Sequence, residues 1–219
     1  MITVPGAALA DLLGCGGIEP IAAGAVVLRG FAAAAAPGLL EAVRSIAAAA
    51  PFRRMVTPGG YAMSVAMTNC GAAGWITDRT GYRYARNDPA SGKPWPTMPT
   101  LFADVAARAA AEAGFPGFAP DSCLVNRYAP GTKLSLHQDK DERDYAAPVV
   151  SVSLGLPATF LFGGANRSDS QQRIALVHGD VVVWGGPARL VFHGVAKLKD
   201  GEHPLAGPWR FNLTLRKAL

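Results

Sequence analysis

His137 and Asp139 stand two residues apart in the stretch SLHQDKDER. On a strand, positions i and i+2 face the same side with Cα atoms about 6–7 Å apart. An imidazole and a carboxylate at that spacing can converge on one ion. Two histidines and one carboxylate on one face leave coordination positions open for substrates, which suits Fe(II). The third ligand must come from elsewhere, and only His178, His193 and His203 remain. His178-Gly-Asp180 repeats the H-x-D spacing, but its glycine marks a turn where the aspartate bonds its own backbone. His203 lies in KDGEHPLAG, a solvated turn. His193 closes RLVFH at a strand end and follows His137 by 193 − 137 = 56 residues, room for several strands, so the two are expected to meet across a barrel.

An H-x-D pair alone is ordinary on a surface strand. A second constellation adds weight to it. WRFNLTLRK alternates sharply: Phe211, Leu213 and Leu215 face one way, Arg210, Asn212, Thr214 and Arg216 the other. One explanation is an outer strand with a solvated face. The other is a clamp for a dianion, because guanidinium makes planar, two-pronged bonds to carboxylates and keeps its charge. A dicarboxylate has two ends, and this strand offers a cation for each. Upstream, Asn126 and Tyr128 share a face in CLVNRY and add neutral hydrogen-bonding groups.

These residues need a frame. After residue 122, eight short apolar runs follow one another, nearly all separated by Gly, Pro, Asn or Asp, with no helical pattern between them. That texture predicts a double-sheet jelly roll, whose interior can hold a small molecule. Before it, PGLLEAVRSIAAAA reads as a helix opened near Pro37 and closed by Pro51. MPTLFADVAARAAAEAG reads as a second, with Leu101, Phe102, Val105 and Ala109 on one face and Gly114 at its end. The fold class expected is mostly β with flanking helices (α+β). One domain spans 1–219: a loose arm over 1–20, a lid over 50–97 and a jelly-roll core over 121–219. Residues 70–97 are rich in Gly, Pro, Asn and Asp, with Trp75, Tyr82, Tyr84 and Trp95 interspersed, and read as a long loop or hairpin region.

Composition excludes several classes. Charged residues are 17% and hydrophobic ones 50%, so the chain is not disordered. Cys15, Cys70 and Cys123 are too few and too scattered for a zinc ribbon or a disulfide framework, and a reducing cytosol is expected. The LLGC ending at Cys15 lacks the positive flank of a secretory signal, and no apolar run is long enough for a membrane span. The net charge of +5 is compatible with a polyanionic partner. No dimerisation element is evident, so a monomer is expected.

H-x-D, a distant histidine and R-x-N-x-x-x-R together resemble the Fe(II)/2-oxoglutarate-dependent dioxygenases, and more narrowly the AlkB type. QDKDE, VNRYAPG, MVTPGGY, MSVAMTNCG and HGDVVVWGG are similar to that type's own segments, and the resemblance runs from about Pro20 to Arg216. It implies Fe(II) on His137, Asp139 and His193. It implies 2-oxoglutarate with its near carboxylate on Arg216 and Asn126, its far one on Arg210, Asn212 and Tyr128, and O2 as co-substrate. The implied reaction couples decarboxylation to succinate with hydroxylation of an N-methyl group, which leaves as formaldehyde. The implied substrates are 1-methyladenine and 3-methylcytosine in single- or double-stranded DNA, and in RNA. Trp75 becomes a stacking platform for the flipped base, with His137 on its other side, and Asp141 meets the exocyclic amine. Thr57, Tyr82 and Arg167 match positions at the nucleic-acid backbone or pocket edge. Met55, Met63 and Met67 match a methionine-rich lid, although Met is also an ordinary core filler. Trp184 reads as core packing; Lys140 and Glu142 read as surface. Three rival functions remain: an oxygenase acting on a small molecule, protein or RNA; a zinc hydrolase; and a cupin-like binding module. The last two leave the arginine strand without a purpose.

Overall fold

Alternation becomes architecture in a computed structural model that describes residues 16–219. The runs after residue 122 form strands β6 (Ser122–Tyr128), β7 (Leu134–His137), β8 (Val149–Gly155), β9 (Ala158–Phe162), β10 (Gln172–Leu176), β11 (Val181–Trp184), β12 (His193–Val195) and β13 (Arg210–Arg216). Upstream lie β1 (Ile18–Ala22), β2 (Ala25–Leu28), β3 (Ala66–Gly71), β4 (Gly74–Asp78) and β5 (Gly81–Ala85). The large sheet has the order β1-β2-β11-β8-β13-β6-β3 and the small one β10-β9-β12-β7; β4 and β5 pair as a separate hairpin. All pairings are antiparallel. This is the mostly-β fold of a jelly roll with two helices.

β1 begins at Ile18, inside the span expected to be a loose arm, because it pairs with β2 and so joins the large sheet. Residues 1–15, the rest of the expected arm, lie outside the described residues.

The helices α1 (Ala36–Ala49) and α2 (Thr100–Glu112) cover the outer face of the large sheet. Pro37 sits in the first turn of α1, where no backbone N–H is needed, and Leu39, Leu40, Val43 and Ile46 form its buried stripe. In α2, Ala106, Ala109 and Ala110 are fully buried, and such small side chains allow close approach to the strands. Gly114 ends it in a left-handed conformation (φ +87°) that costs a glycine nothing.

Period-two alternation gives the large sheet two buried faces. Val181, Val183, Leu213 and Leu215 point to the helices, whereas Val182, Trp184, Leu124 and Tyr128 point between the sheets with Phe160 and Phe162. β13 is therefore a central strand with two partners rather than an outer one. Its polar face is turned inward, and Arg210, Asn212, Thr214 and Arg216 are all buried. Burying charge without partners is costly, so the interior they face must supply some. Among the described residues no helix is long and apolar enough to cross a membrane.

Candidate active site

β7 ends at His137, so Asp139 lies just beyond the strand rather than on it. β12 runs beside β7 with His193 directly opposite His137. The two histidines thus meet as cross-strand neighbours in one sheet, not across a barrel, with ring centres 4.4 Å apart. His193 starts its strand, because RLVF is taken up by a tight turn after the 3₁₀ segment Gly186–Ala188. Gly194 makes the approach possible: a Cβ there would lie 2.7 Å from the Leu134 carbonyl oxygen.

Asp139 Oδ1 is 3.8 Å from His137 Nε2, and its Oδ2 is 3.8 Å from His193 Nε2. One ligand atom from each residue lies within 4.8 Å of the others. Each histidine has Nδ1 at 2.9 Å from a backbone carbonyl, Ser135 for His137 and Val191 for His193. A carbonyl only accepts, so each Nδ1 carries the proton and each Nε2 offers a lone pair, the usual outer-shell arrangement of a metal-ligating histidine. Burial, helped by His137, pushes the His193 imidazole down to about 4, with Asp139 opposing. Burial pushes the Asp139 carboxyl up, but the Arg216 guanidinium and the two histidines prevail and hold it below the usual carboxylate range. The donor set is two neutral nitrogens and one anionic oxygen, which fits a divalent ion. His178-Gly-Asp180 is a turn: Asp180 accepts the Val177 N–H and pairs with Arg29, and His178 accepts the Gly155 N–H.

β6 and β13 place the polar residues in register, Asn126 opposite Asn212 and Tyr128 opposite Arg210. The Asn126 amide donates to Asn212 Oδ1 at 3.3 Å, and the Asn212 amide is spent on Ser151 Oγ and the Val152 carbonyl. Arg210 lies 5.3 Å from the Tyr128 ring centre, and its one hydrogen bond among the described residues goes to Ser153 Oγ at 3.0 Å. Tyr128 Oη, Arg210 Nε and Nη1, Asn126 Oδ1 and Trp184 Nε1 are buried without a partner. A fully buried guanidinium with no carboxylate beside a lone phenol is a poor structural feature and a good anion site. Burial lifts the Tyr128 phenol to about 12, so it stays a donor. Arg216 instead grips Asp139, from Nε to Oδ2 at 3.0 Å and from Nη2 to Oδ1 at 2.9 Å.

Above this floor stands the β4–β5 hairpin. The Trp75 and Tyr82 rings stack, 5.7 Å apart and inclined by 21°. Trp75 Nε1 donates to Asp141 Oδ2 at 2.7 Å. Arg167 donates to the Leu136 carbonyl and lies 5.0 Å from the Phe192 ring centre. Thr57 opens the expected TPGG turn, its carbonyl accepting the Gly60 N–H. One cavity of about 670 Å³ brings together every residue expected to meet metal, 2-oxoglutarate or substrate, from Thr57, Trp75, Tyr82, Asp141 and Arg167 at the mouth to Asn126, Tyr128, Arg210, Asn212 and Arg216 around the triad. Met63 and Met67 line it too; Met55 packs in the core beside them. Trp184 is core, as expected, and also lines the cavity 4.8 Å from the His193 ring.

The model of the 2OG-Fe(II) oxygenase superfamily matches residues 24–216. The chain belongs to this superfamily. The oxygenase is 63% identical over 200 residues to the alpha-ketoglutarate-dependent dioxygenase AlkB of Salmonella typhimurium, covering 91% of this chain and 93% of that one. It is 34% identical over 161 residues to the DNA N(6)-methyladenine demethylase ALKBH1C of Arabidopsis thaliana, covering 62% of this chain and 35% of that one. Among solved structures, OsALKBH1 superposes with a TM-score of 0.82 at 30% identity, covering 92% of this chain and all of that one. The oxygenase therefore uses Fe(II), 2-oxoglutarate and O2, and the donor set and an Arg210 that has no carboxylate partner among the described residues fit the first two.

The sequence reading missed Glu142. It looks like one more acid in a charge run, yet it is buried, accepts from Tyr84 Oη at 2.5 Å and pairs with Arg189 at 3.1 Å. Lys140 is exposed, as expected. No local signal marks Glu142, since its partners come from β5, from the turn before β12 and from β13.

Proposed function

We propose that this oxygenase removes N-methyl groups from 1-methyladenine and 3-methylcytosine in DNA, and in RNA, as a monomer in the bacterial cytosol. One observation carries the substrate class: an aromatic pair and an acid, Trp75, Tyr82 and Asp141, share a cavity with the His-Asp-His triad. A small dicarboxylate site needs no such platform. The 50–97 segment serves as the nucleotide-recognition lid of a single 1–219 domain. The buried Cys70 and Cys123 thiols, opposite each other on β3 and β6 yet free, suit a reducing compartment.

His137, Asp139 and His193 hold the iron, which with 2-oxoglutarate and O2 supplies hydroxylation of a C–H bond. Arg210 and Tyr128 offer N–H and O–H donors to the far carboxylate, with Asn212 beside them; Arg216 and Asn126 flank the near one. A base methylated on a ring nitrogen is cationic, and Asp141 stabilises that charge while accepting from the exocyclic amine. The base is taken out of its stack and held on Trp75, where stacking is worth about 1–3 kcal/mol. Thr57, Tyr82 and Arg167 at the rim hold the strand, and the apolar walls exclude water. The hydroxymethyl product collapses to formaldehyde and the unmodified base.

The test is mass spectrometry of a single-stranded DNA oligonucleotide carrying one 1-methyladenine, and of its RNA counterpart, incubated with Fe(II), 2-oxoglutarate and air. Loss of one methyl group, dependent on 2-oxoglutarate and abolished in His137→Ala, is expected. Succinate formed at the wild-type rate with both methyl groups intact would place the substrate elsewhere.

A further inference from the structure

Glu142 has three partners, from three parts of the fold. Its Oε1 accepts from the Tyr84 hydroxyl on β5 and lies 3.4 Å from Arg216 Nε on β13. Its Oε2 accepts from Arg189 Nη2, while Arg189 Nη1 donates to the Asp139 carbonyl at 2.6 Å. Starting from Asp139 of the triad, carboxylates and guanidiniums thus alternate through Arg216, Glu142 and Arg189, all buried. Burial raises the Tyr84 phenol well above its ordinary value, so its hydroxyl is a donor and Glu142 its acceptor.

Tyr84 sits directly opposite Trp75 in the hairpin. The hairpin is therefore tied to the short segment 139–142 twice, Trp75 to Asp141 and Tyr84 to Glu142. The first tie lies in the cavity, where an incoming base competes for the carboxylate. The second joins two residues outside the cavity lining, where an incoming base does not compete for the carboxylate. Arg216 has no other carboxylates besides Asp139 and Glu142 among the described residues, and Asp139 is shared with the metal.

We propose that Glu142 is a positioning residue that fixes Arg216 and the Trp75-bearing hairpin to one another, so that nucleic acid and 2-oxoglutarate strengthen each other's binding. This rests on the function proposed above, in which Arg216 meets 2-oxoglutarate and the hairpin meets the base. Coupling of this kind is reciprocal and spans about 5–150-fold in affinity.

The experiment uses the full chain with Mn(II) in place of iron, so that no turnover occurs. Calorimetry gives the 2-oxoglutarate Kd with and without saturating 1-methyladenine oligonucleotide. The wild type should bind 2-oxoglutarate at least about fivefold more tightly with the oligonucleotide present. Tyr84→Phe keeps the ring and deletes only the tie: the ratio should fall below about twofold while the Kd without oligonucleotide stays near wild type. Glu142→Gln should weaken 2-oxoglutarate about tenfold even without oligonucleotide, the weight of a hydrogen bond to a charged group. A Tyr84→Phe ratio equal to the wild-type ratio overturns the proposal, as does a wild-type ratio of one with both ligands binding. A wild type that binds 2-oxoglutarate and never the methylated oligonucleotide overturns the proposed function and the coupling together. A melting curve for each variant separates a folding defect, and Glu142→Gln with unchanged Kd and unchanged ratio overturns the proposal by itself.

Discussion

His193 and Arg210 show how single residues are set for their work. The imidazole of His193 titrates near 4 when folded and near 6.5 when unfolded. Between those values the unfolded chain binds more protons, so acid destabilises the metal-free protein. The stability is fully present above about pH 6.5 and is lost as pH falls toward 4, by up to about 3 kcal/mol. Urea midpoints of chelator-treated protein should fall between pH 7.5 and 5, and His193→Gln should flatten part of that fall. The remainder belongs partly to His178, whose imidazole is also lowered, by burial and by His203. Arg210 makes the opposite demand, for a bound anion. Arg210→Lys loses the planar fork and should raise the KM for 2-oxoglutarate roughly tenfold or more. A steady-state titration of 2-oxoglutarate checks it, with the oligonucleotide KM at saturating 2-oxoglutarate as the control that stays put. Residue types exposed much of this in advance, because H-x-D, a distant histidine and R-x-N-x-x-x-R occur in one chain, although each alone is ordinary. Glu142 shows the limit: it is flanked by Asp141 and Arg143, and burial depends on Arg189 and Arg216, far along the chain.

Elements decide which of those residues meet. The eight C-terminal strands were legible from alternation and turn residues, yet their pairing was not. That His137 and His193 lie on adjacent strands follows from the β7–β12 register, and nothing in the local sequence states it. The same register makes Gly194 critical. Gly194→Ala would press a methyl group on the Leu134 carbonyl and force the strands apart, at a cost of about 1–3 kcal/mol. Mn(II) affinity by calorimetry should drop sharply while far-UV circular dichroism stays close to wild type. The helices, by contrast, serve the large sheet and never reach the cavity. Leu39→Ala in α1 should cost about 2–5 kcal/mol in stability and leave the KM values unchanged at a temperature where the variant is folded.

For the whole molecule, the interior between the sheets carries buried polar groups that only ligands complete. Metal and 2-oxoglutarate should therefore stabilise the fold by linkage, about 2.7 kcal/mol for each at a hundredfold excess over its Kd. For a chain of this size that shifts the melting temperature by roughly 5–10 °C per ligand, and a chelator should reverse the metal's share. Differential scanning fluorimetry with Mn(II), with and without 2-oxoglutarate, measures it; no shift with either ligand would mean that the buried arginine is satisfied some other way. Fold class was legible because two sheets need alternating strands. Which side of β13 faced inward was not, since a polar face is ordinary on an outer strand.

β13 carries Leu213 and Leu215 to the helices and Arg210, Asn212 and Arg216 to the cavity, on strictly alternate residues. One inserted or deleted residue between Arg210 and Arg216 would turn part of each set to the wrong side at once, placing guanidinium against Phe102 and leucine against the ligand. Drift in this strand can thus proceed by exchange of side chains but not by change of length. A lineage that lost the chemistry would still be held to the same spacing by the helices, so its descendants would keep the beat of the strand after the arginines had gone.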